Sequence, residues 1–341
     1  MEYRKTGAFS PLGVARILWL LGVLSLSCSP NEVVIPPSGP PPPPLPIKDR
    51  IFFVSNIENP GGALHVFSMK PDGSDIMQVT HPDTNSRGWI TSYTSVSISP
   101  NLYQLAFAWE WGNVYDDYFT LTITDTSLAN LDQWIDWCYA GTAWSPNGSM
   151  VSYSVPWGPF APAHDMYVVP AAGGLSTKIT SFVHNTSVDT GAVPLQWIAG
   201  STILVRVTVD TPSIGLSHHV CEMELDGRIT RWILSDSLNW YTAAKLSPRG
   251  DMLAYIYRPV GPPTTGIGVA TPDGENKQEI LSELDLQLDG ISYHRILWSP
   301  DGDRIAVSTE RWILTVNPDG SEIDTVLATS GSLWVELCDW K

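Results

Sequence analysis

Basic residues are scarce in this chain: 19 Lys and Arg stand against 35 Asp and Glu, for a formal charge of −16. Such an excess of acid repels nucleic acid and anionic lipid, so partners are expected to be neutral, basic or metal-bearing. Cysteine is equally sparse. Cys28, Cys138, Cys221 and Cys338 lie too far apart for a disulfide framework or a cysteine-rich zinc site. The one long apolar run, about ten residues from Ile17 to Leu26, is too short to cross a bilayer. No 3.6-residue hydrophobic period follows it, which argues against a helical core. Catalytic phrases are missing too: there is no G-x-S-x-G elbow, no H-E-x-x-H, no P-loop and no dinucleotide fingerprint.

What is present is repetition. Trp298–Val307 (WSPDGDRIAV) recurs as Trp144–Tyr153, Leu246–Tyr255 and Ile98–Phe107, and in degraded form at Trp197–Val205. Counted on the Trp position, the copies lie 46, 53, 49 and 52 residues apart, a spacing of stacked or radial units. Roughly 20 residues after this phrase a second one follows, Pro-Asp-Gly or its relic, at Pro71, Pro170, Leu225, Pro272 and Pro318. Proline presets φ and glycine accepts positive φ, so both phrases are tight turns between short β-branched and aromatic segments.

Each unit therefore reads as a four-stranded antiparallel sheet, A to D, with the first phrase turning A into B and the second turning C into D. An all-β, six-bladed β-propeller is expected. The first unit begins at a B-like strand (Arg50–Ser55), while Leu333–Trp340 looks like an isolated strand A. The C-terminal strand joining the first blade closes the ring and removes exposed edges.

The Trp-Ser-Pro-Asp-Gly phrase, its Ile-Ala-Val or Leu-Ala-Tyr strand and the Pro-Asp-Gly turn resemble the TolB-type propeller repeat, also described as WD-repeat-like or PD40. The likeness covers about residues 49–341, is strongest in blades five and six, and is weakest in blade four, where Trp197-Ile198-Ala199-Gly200 has lost Ser-Pro. No α/β domain precedes the repeats, so a Tol transport role is not implied. A binding or scaffold module is.

The remaining N-terminal residues read as an export and anchoring device. Arg4, Lys5 and Arg16 precede the apolar run, as in a secretory signal (residues 1–27). Cys28 directly after it resembles a bacterial lipobox cysteine, lipidated after cleavage. Residues 28–48 then hold Pro36, Pro37, Pro40–Pro44 and Pro46, a stiff polyproline tether roughly 50 to 60 Å long. The expectation is a membrane-anchored lipoprotein, on the periplasmic side of the outer membrane or at the cell surface. Removing residues 1–27, which hold three basic residues and one acid, takes the charge to about −18.

In such a blade the A–B and C–D turns fall on one side of the disc, and the longer B–C and D–A connections on the other. Binding residues concentrate in loops carried by a rigid scaffold. Candidates for partner contact on the long-loop face are Trp89, Trp109, Trp111, Tyr115, Asp116, Trp134, Trp137, Trp157, His164, Trp240, Tyr241 and His294. Aromatic rings interleaved with carboxylates suit a protein, peptide or glycan surface. By contrast Trp144, Trp197, Trp298 and Trp340, at the repeat position, belong between blades. His218 and His219, adjacent on a strand, point to opposite faces and do not share a metal.

An alternative is a metal-dependent carbohydrate-active enzyme. Oligogalacturonate lyases resemble this repeat and hold metal through channel histidines, which nominates His294, His81 and His184. No cofactor is otherwise called for; calcium in the channel fits the family type, but no dense Asp loop demands it.

Overall fold

A computed structural model of the chain describes residues 45–341 apart from 59–61, 81–89, 114–115, 127–130, 137–139, 157–163, 181, 183–188, 212–214, 262–264 and 283–293. Strand residues 90–91, 109–113, 116–119, 131–136, 140, 156, 189 and 211 are described by their backbone alone. The described residues are all β.

In chain order, β1 (Ile51–Ser55), β2 (His65–Met69) and β3 (Met77–Gln78) belong to the first sheet. The second is β4 (Ile90–Ile98), β5 (Gln104–Asn113), β6 (Asp116–Asp125) and β7 (Leu131–Asp136); the third is β8 (Ala140–Trp144), β9 (Met150–Pro156), β10 (His164–Pro170) and β11 (Thr177–Lys178). The fourth comprises β12 (Asp189–Ala199), β13 (Thr202–Thr211), β14 (Gly215–Glu224) and β15 (Ile229–Leu234). The fifth comprises β16 (Asn239–Leu246), β17 (Leu253–Pro259), β18 (Gly266–Ala270) and β19 (Gln278–Ser282). The sixth is β20 (Arg295–Trp298), β21 (Ile305–Ser308), β22 (Trp312–Val316) and β23 (Asp324–Ala328). Last comes β24 (Val335–Trp340), which pairs antiparallel with β1 from Ile51↔Trp340 to Ser55↔Val335 and completes the first blade. The expected closure of a six-bladed propeller is what the chain adopts.

The two repeated phrases work as the side-chain chemistry requires. In the A–B turns a serine hydroxyl accepts the N–H of the residue five positions on, Ser99 from Gln104, Ser145 from Met150 and Ser299 from Arg304, each at 2.9 Å. The same hydroxyl donates to the turn's Asn or Asp, as Ser299 does to Asp301 at 2.5 Å. In the C–D turns the aspartate accepts the N–H two residues later: Asp72 from Ser74, Asp226 from Arg228, Asp319 from Ser321.

The glycine of that turn has a second duty. Gly274 sits at φ +83°, and a Cβ there would stand 2.0 Å from the Ile233 carbonyl oxygen of the preceding blade's outer strand. Gly73 makes the same approach to Val326, which places blade one against blade six at the seam. Backbone therefore touches backbone where neighbouring blades meet.

The core lies between blades. Trp144, Trp197, Trp298 and Trp340 are all buried, as their repeat position implied. The innermost strands have one open edge, whose orphan backbone groups need partners. Neighbouring blades supply them. The Trp298 indole donates to the Lys245 carbonyl (2.9 Å) and that of Trp144 to the Ser97 carbonyl (3.1 Å). Asp339 accepts the Ile98 N–H (2.8 Å), and Gln196 accepts that of Leu246 (2.8 Å). In degraded blade four the Trp197 indole turns instead to its own Gly200 carbonyl.

One expectation needs correction. Blade two does not carry a loop from Trp109 to Tyr118: β5 and β6 run on as a long hairpin, pairing Trp109↔Thr120 and Trp111↔Tyr118, and leave only 114–115 to connect them. Trp134, nominated among the long-loop residues, lies on β7. Alternating aromatic and β-branched residues are strand formers first.

Candidate functional site

The innermost strands β4, β8, β12, β16, β20 and β24 enclose an axial channel of about 70 Å³, lined by Ser95, Val96, Ser97, Gly141, Thr142, Pro194, Leu195, Ala243, Ala244, Lys245, Arg295, Ile296, Leu297, Leu337 and Cys338. Two cations therefore face a narrow space at the heart of an acidic protein. The Arg295 Nε donates to Glu336 at 2.5 Å, and the Lys245 ammonium donates to the Leu195 carbonyl. Burial holds Lys245 down at about 8, opposed by the Asp339 charge and helped by Lys341 and Arg295. The same burial, with the Glu336 charge beside it, pushes the Cys338 thiol up to about 12, so this cysteine is not a thiolate nucleophile. Ser97 accepts from the Thr142 hydroxyl (2.9 Å), while the Ser95 hydroxyl oxygen is buried without a partner among the described residues.

Around this channel, at the long-loop end, imidazoles meet aromatic rings across blade junctions. His294, just before β20, lies 5.5 Å from Trp334, just before β24. His218 of β14 meets Trp240 of β16 edge-on at 6.0 Å, and Arg258 stands 5.9 Å over the same indole. His65 of β2 lies 6.2 Å from Tyr93 of β4. Burial lowers His218 to about 4, with the Arg206 and His219 charges adding to the effect, so its ring is neutral at physiological pH. His219 points the other way, to Trp232, as adjacent strand positions require. Beside Trp240 the exposed Leu238 and Val260 are joined by a 2.7 Å backbone bond.

Of the nominated contact residues, Trp240 is half-buried at this rim. His294 is also half-buried, with its Nε2 enclosed and without a hydrogen-bond partner among the described residues. Two nominations are corrected by burial: Tyr241 is 1% exposed and its hydroxyl donates to Asp236, and His164, the first residue of β10, is 7% exposed. Both are core residues at strand ends, which a sequence reader takes for loop. Trp109, Trp111, Asp116 and Trp134 are placed on strands by their backbone, without described side chains. Trp89, Tyr115, Trp137, Trp157, Cys28, His81 and His184 lie outside the described residues. Reading the sequence missed Lys245, Arg295, Glu336 and Trp334. The available signal was a charge on an otherwise apolar innermost strand, as in Ala243-Ala244-Lys245-Leu246.

Among the described residues no three His, Cys, Asp or Glu side chains are grouped to hold an ion. The channel offers Lys245 and Arg295 rather than a set of carboxylates, so its residues do not fit calcium. A larger cavity of about 680 Å³ opens on the short-turn side between blades six and one. Its Asp72 and Asp301 hold their own turns, and its Arg304 is engaged with Asp324 at 2.8 Å.

Fold and channel together define a six-bladed β-propeller. The chain is similar in structure to TolB from Acinetobacter baumannii (TM-score 0.61, 15% identity, covering 85% of this chain and 65% of that one). It is also similar to a putative TolB from Agrobacterium tumefaciens (0.54, 13%, 85% and 99%) and to a prolyl endopeptidase (0.52, 13%, 86% and 50%). The chain thus spans under two thirds of the first of these and half of the last. No protein-family model and no curated sequence matches it.

Proposed function

We propose that this propeller is an exported binding or scaffold module, tethered to a membrane through Cys28 and its proline-rich segment, that recognises a protein, peptide or glycan on its long-loop face. The observation that carries this reading is the sidedness of the disc. Residues 45–50 approach β1 on the short-turn side: the Leu45 N–H donates to the Thr126 carbonyl, Ile47 is buried between blades one and two, and Arg50 exchanges backbone bonds with Lys341. The opposite face carries Trp240, Trp334, His294 and Arg258, with Leu238 and Val260 exposed beside them. A tether entering on one face leaves the other free to meet a partner, and half-buried aromatic rings with few rotors suit that contact. The exposed apolar residues of the short-turn side, Ile76, Tyr103, Leu175 and Ile323, are scattered one to a blade and form no patch.

The test is site-specific photo-crosslinking in cells of the source organism, with the probe at Leu238 or Val260 and, for comparison, at Leu175 or Ile323. A discrete adduct from the first pair alone supports the reading. Adducts confined to the second pair overturn it. Labelling with radioactive palmitate, lost in Cys28→Ala, checks the anchor.

A further inference from the structure

We infer that the axial channel is a binding site for a single carboxylate group, held between Lys245 and Arg295. The inference stands apart from the partner face and does not need it. Its basis is the supply of unused hydrogen-bond donors. The Lys245 ammonium has three N–H groups and gives one, to the Leu195 carbonyl. The Arg295 guanidinium has five and gives one, to Glu336. Neither has a further partner among the described residues, and both line the same cavity. The Ser95 hydroxyl in that lining is also unpartnered. Lys245 and Arg295 are only half-buried, so their spare donors are open to water or to an anion that enters the channel, and an anion gains charge-assisted bonds that water does not give.

Charge and size select the anion. Glu336 neutralises one of the two cations, and Asp339 is committed to the Ile98 N–H and lies 3.6 Å from Lys341. That leaves the channel one positive charge in excess, which a monoanion balances and a dianionic phosphate exceeds. A cavity of about 70 Å³ takes one carboxylate with little besides. The planar guanidinium, its Nε already on Glu336, has its two terminal nitrogens free to take a second carboxylate in a forked geometry. The group can arrive as a free small carboxylate or as the terminal carboxylate of an extended chain entering along the axis.

Two probes separate these sources: acetate, titrated against chloride at constant ionic strength and followed by the melting temperature, and a fluorescent glycine-rich peptide with a free C-terminus, compared with its amide. Binding of acetate, of the free-acid peptide or of both supports the site, and the pattern says which source it accepts. Lys245→Met, which keeps the stem and removes the charge, should weaken binding at least 10-fold, while Arg228→Met on the surface leaves it unchanged. Affinity should fall as pH rises through about 8, where Lys245, which Asp339, Lys341, Arg295 and Glu336 surround, loses its proton. Should Lys245→Met fail to fold, Ser95→Ala and Arg295→Lys carry the test. Acetate behaving as chloride does, with the free-acid and amide peptides alike, or binding undiminished in the folded variants, overturns the inference.

Discussion

Replacing Gly274 by alanine tests the claim that blades lock together by backbone contact, and Gly250 provides the control. Both are turn glycines with positive φ, +83° and +72°. An L-residue in that region costs about 1–2 kcal/mol, and alanine's stiffer unfolded chain returns about 0.4–1 kcal/mol. Those contributions are common to the two sites. Only Gly274 adds a collision, 2.0 Å to the Ile233 carbonyl oxygen and 2.8 Å to its carbon, whereas nothing lies within 4 Å of a Cβ at Gly250. Backbone atoms cannot swing aside as a side chain does, so the C–D turn must lift off the preceding blade, an overpacking cost of about 1–3 kcal/mol. Gly274→Ala should therefore melt lower than Gly250→Ala by about 2–8 °C in calorimetry under matched conditions. Equal melting temperatures would refute the contact as a source of stability and reduce the glycine's role to its φ angle.

Two further outcomes follow from the same geometry. Burial holds His218 at about 4 in the folded chain against about 6.5 unfolded, so the unfolded state binds more protons between these values. The resulting stability is complete above pH 6.5 and is lost as pH falls towards 4, to the extent of about 1–2 kcal/mol once partial exposure is allowed for; His218→Gln should flatten that part of a pH series of urea denaturations. Trp340→Ala removes a side chain 8% exposed at the closing seam and should cost about 3–5 kcal/mol, with protease sensitivity appearing first in β24; a loss under 1 kcal/mol would count against that strand as the ring's clasp.

The architecture was legible because its determinants are local. A serine that accepts the N–H five residues on, an aspartate that accepts one two residues on and a glycine with positive φ can each be read within six residues of sequence. Blade number and closure followed from counting these phrases. The site was harder because it is assembled from residues about 50 positions apart. Lys245 and Arg295 look like isolated surface charges until six strands converge on one axis. Strand ends misled in another way: Tyr241 and His164 flank loops and carry polar atoms, yet a propeller packs the first residues of its strands against the next blade. Aromatic residues from Trp109 to Tyr118 resembled a contact loop, although the same composition serves a paired hairpin equally well.

The position immediately before the repeat's Trp explains how one fold accommodates both demands. Its six occupants are Ser97, Ala143, Gln196, Lys245, Leu297 and Asp339. Four of them reach a neighbouring blade: Ser97 accepts from Thr142, Gln196 binds Leu246, Lys245 donates to Leu195 and Asp339 accepts from Ile98. Alanine and leucine fill the other two sites by packing. The turns and a large apolar wedge, Trp in four blades and Ile98 or Leu246 in the other two, must repeat because every blade needs the same reversal and the same packing. This position need not, because each junction has only to satisfy one open edge, and an amide, a carboxylate or an ammonium can each do so. Chemical individuality thus concentrates at the axis, where a charge such as Lys245 meets a structural need of its junction and still presents spare donors to the channel.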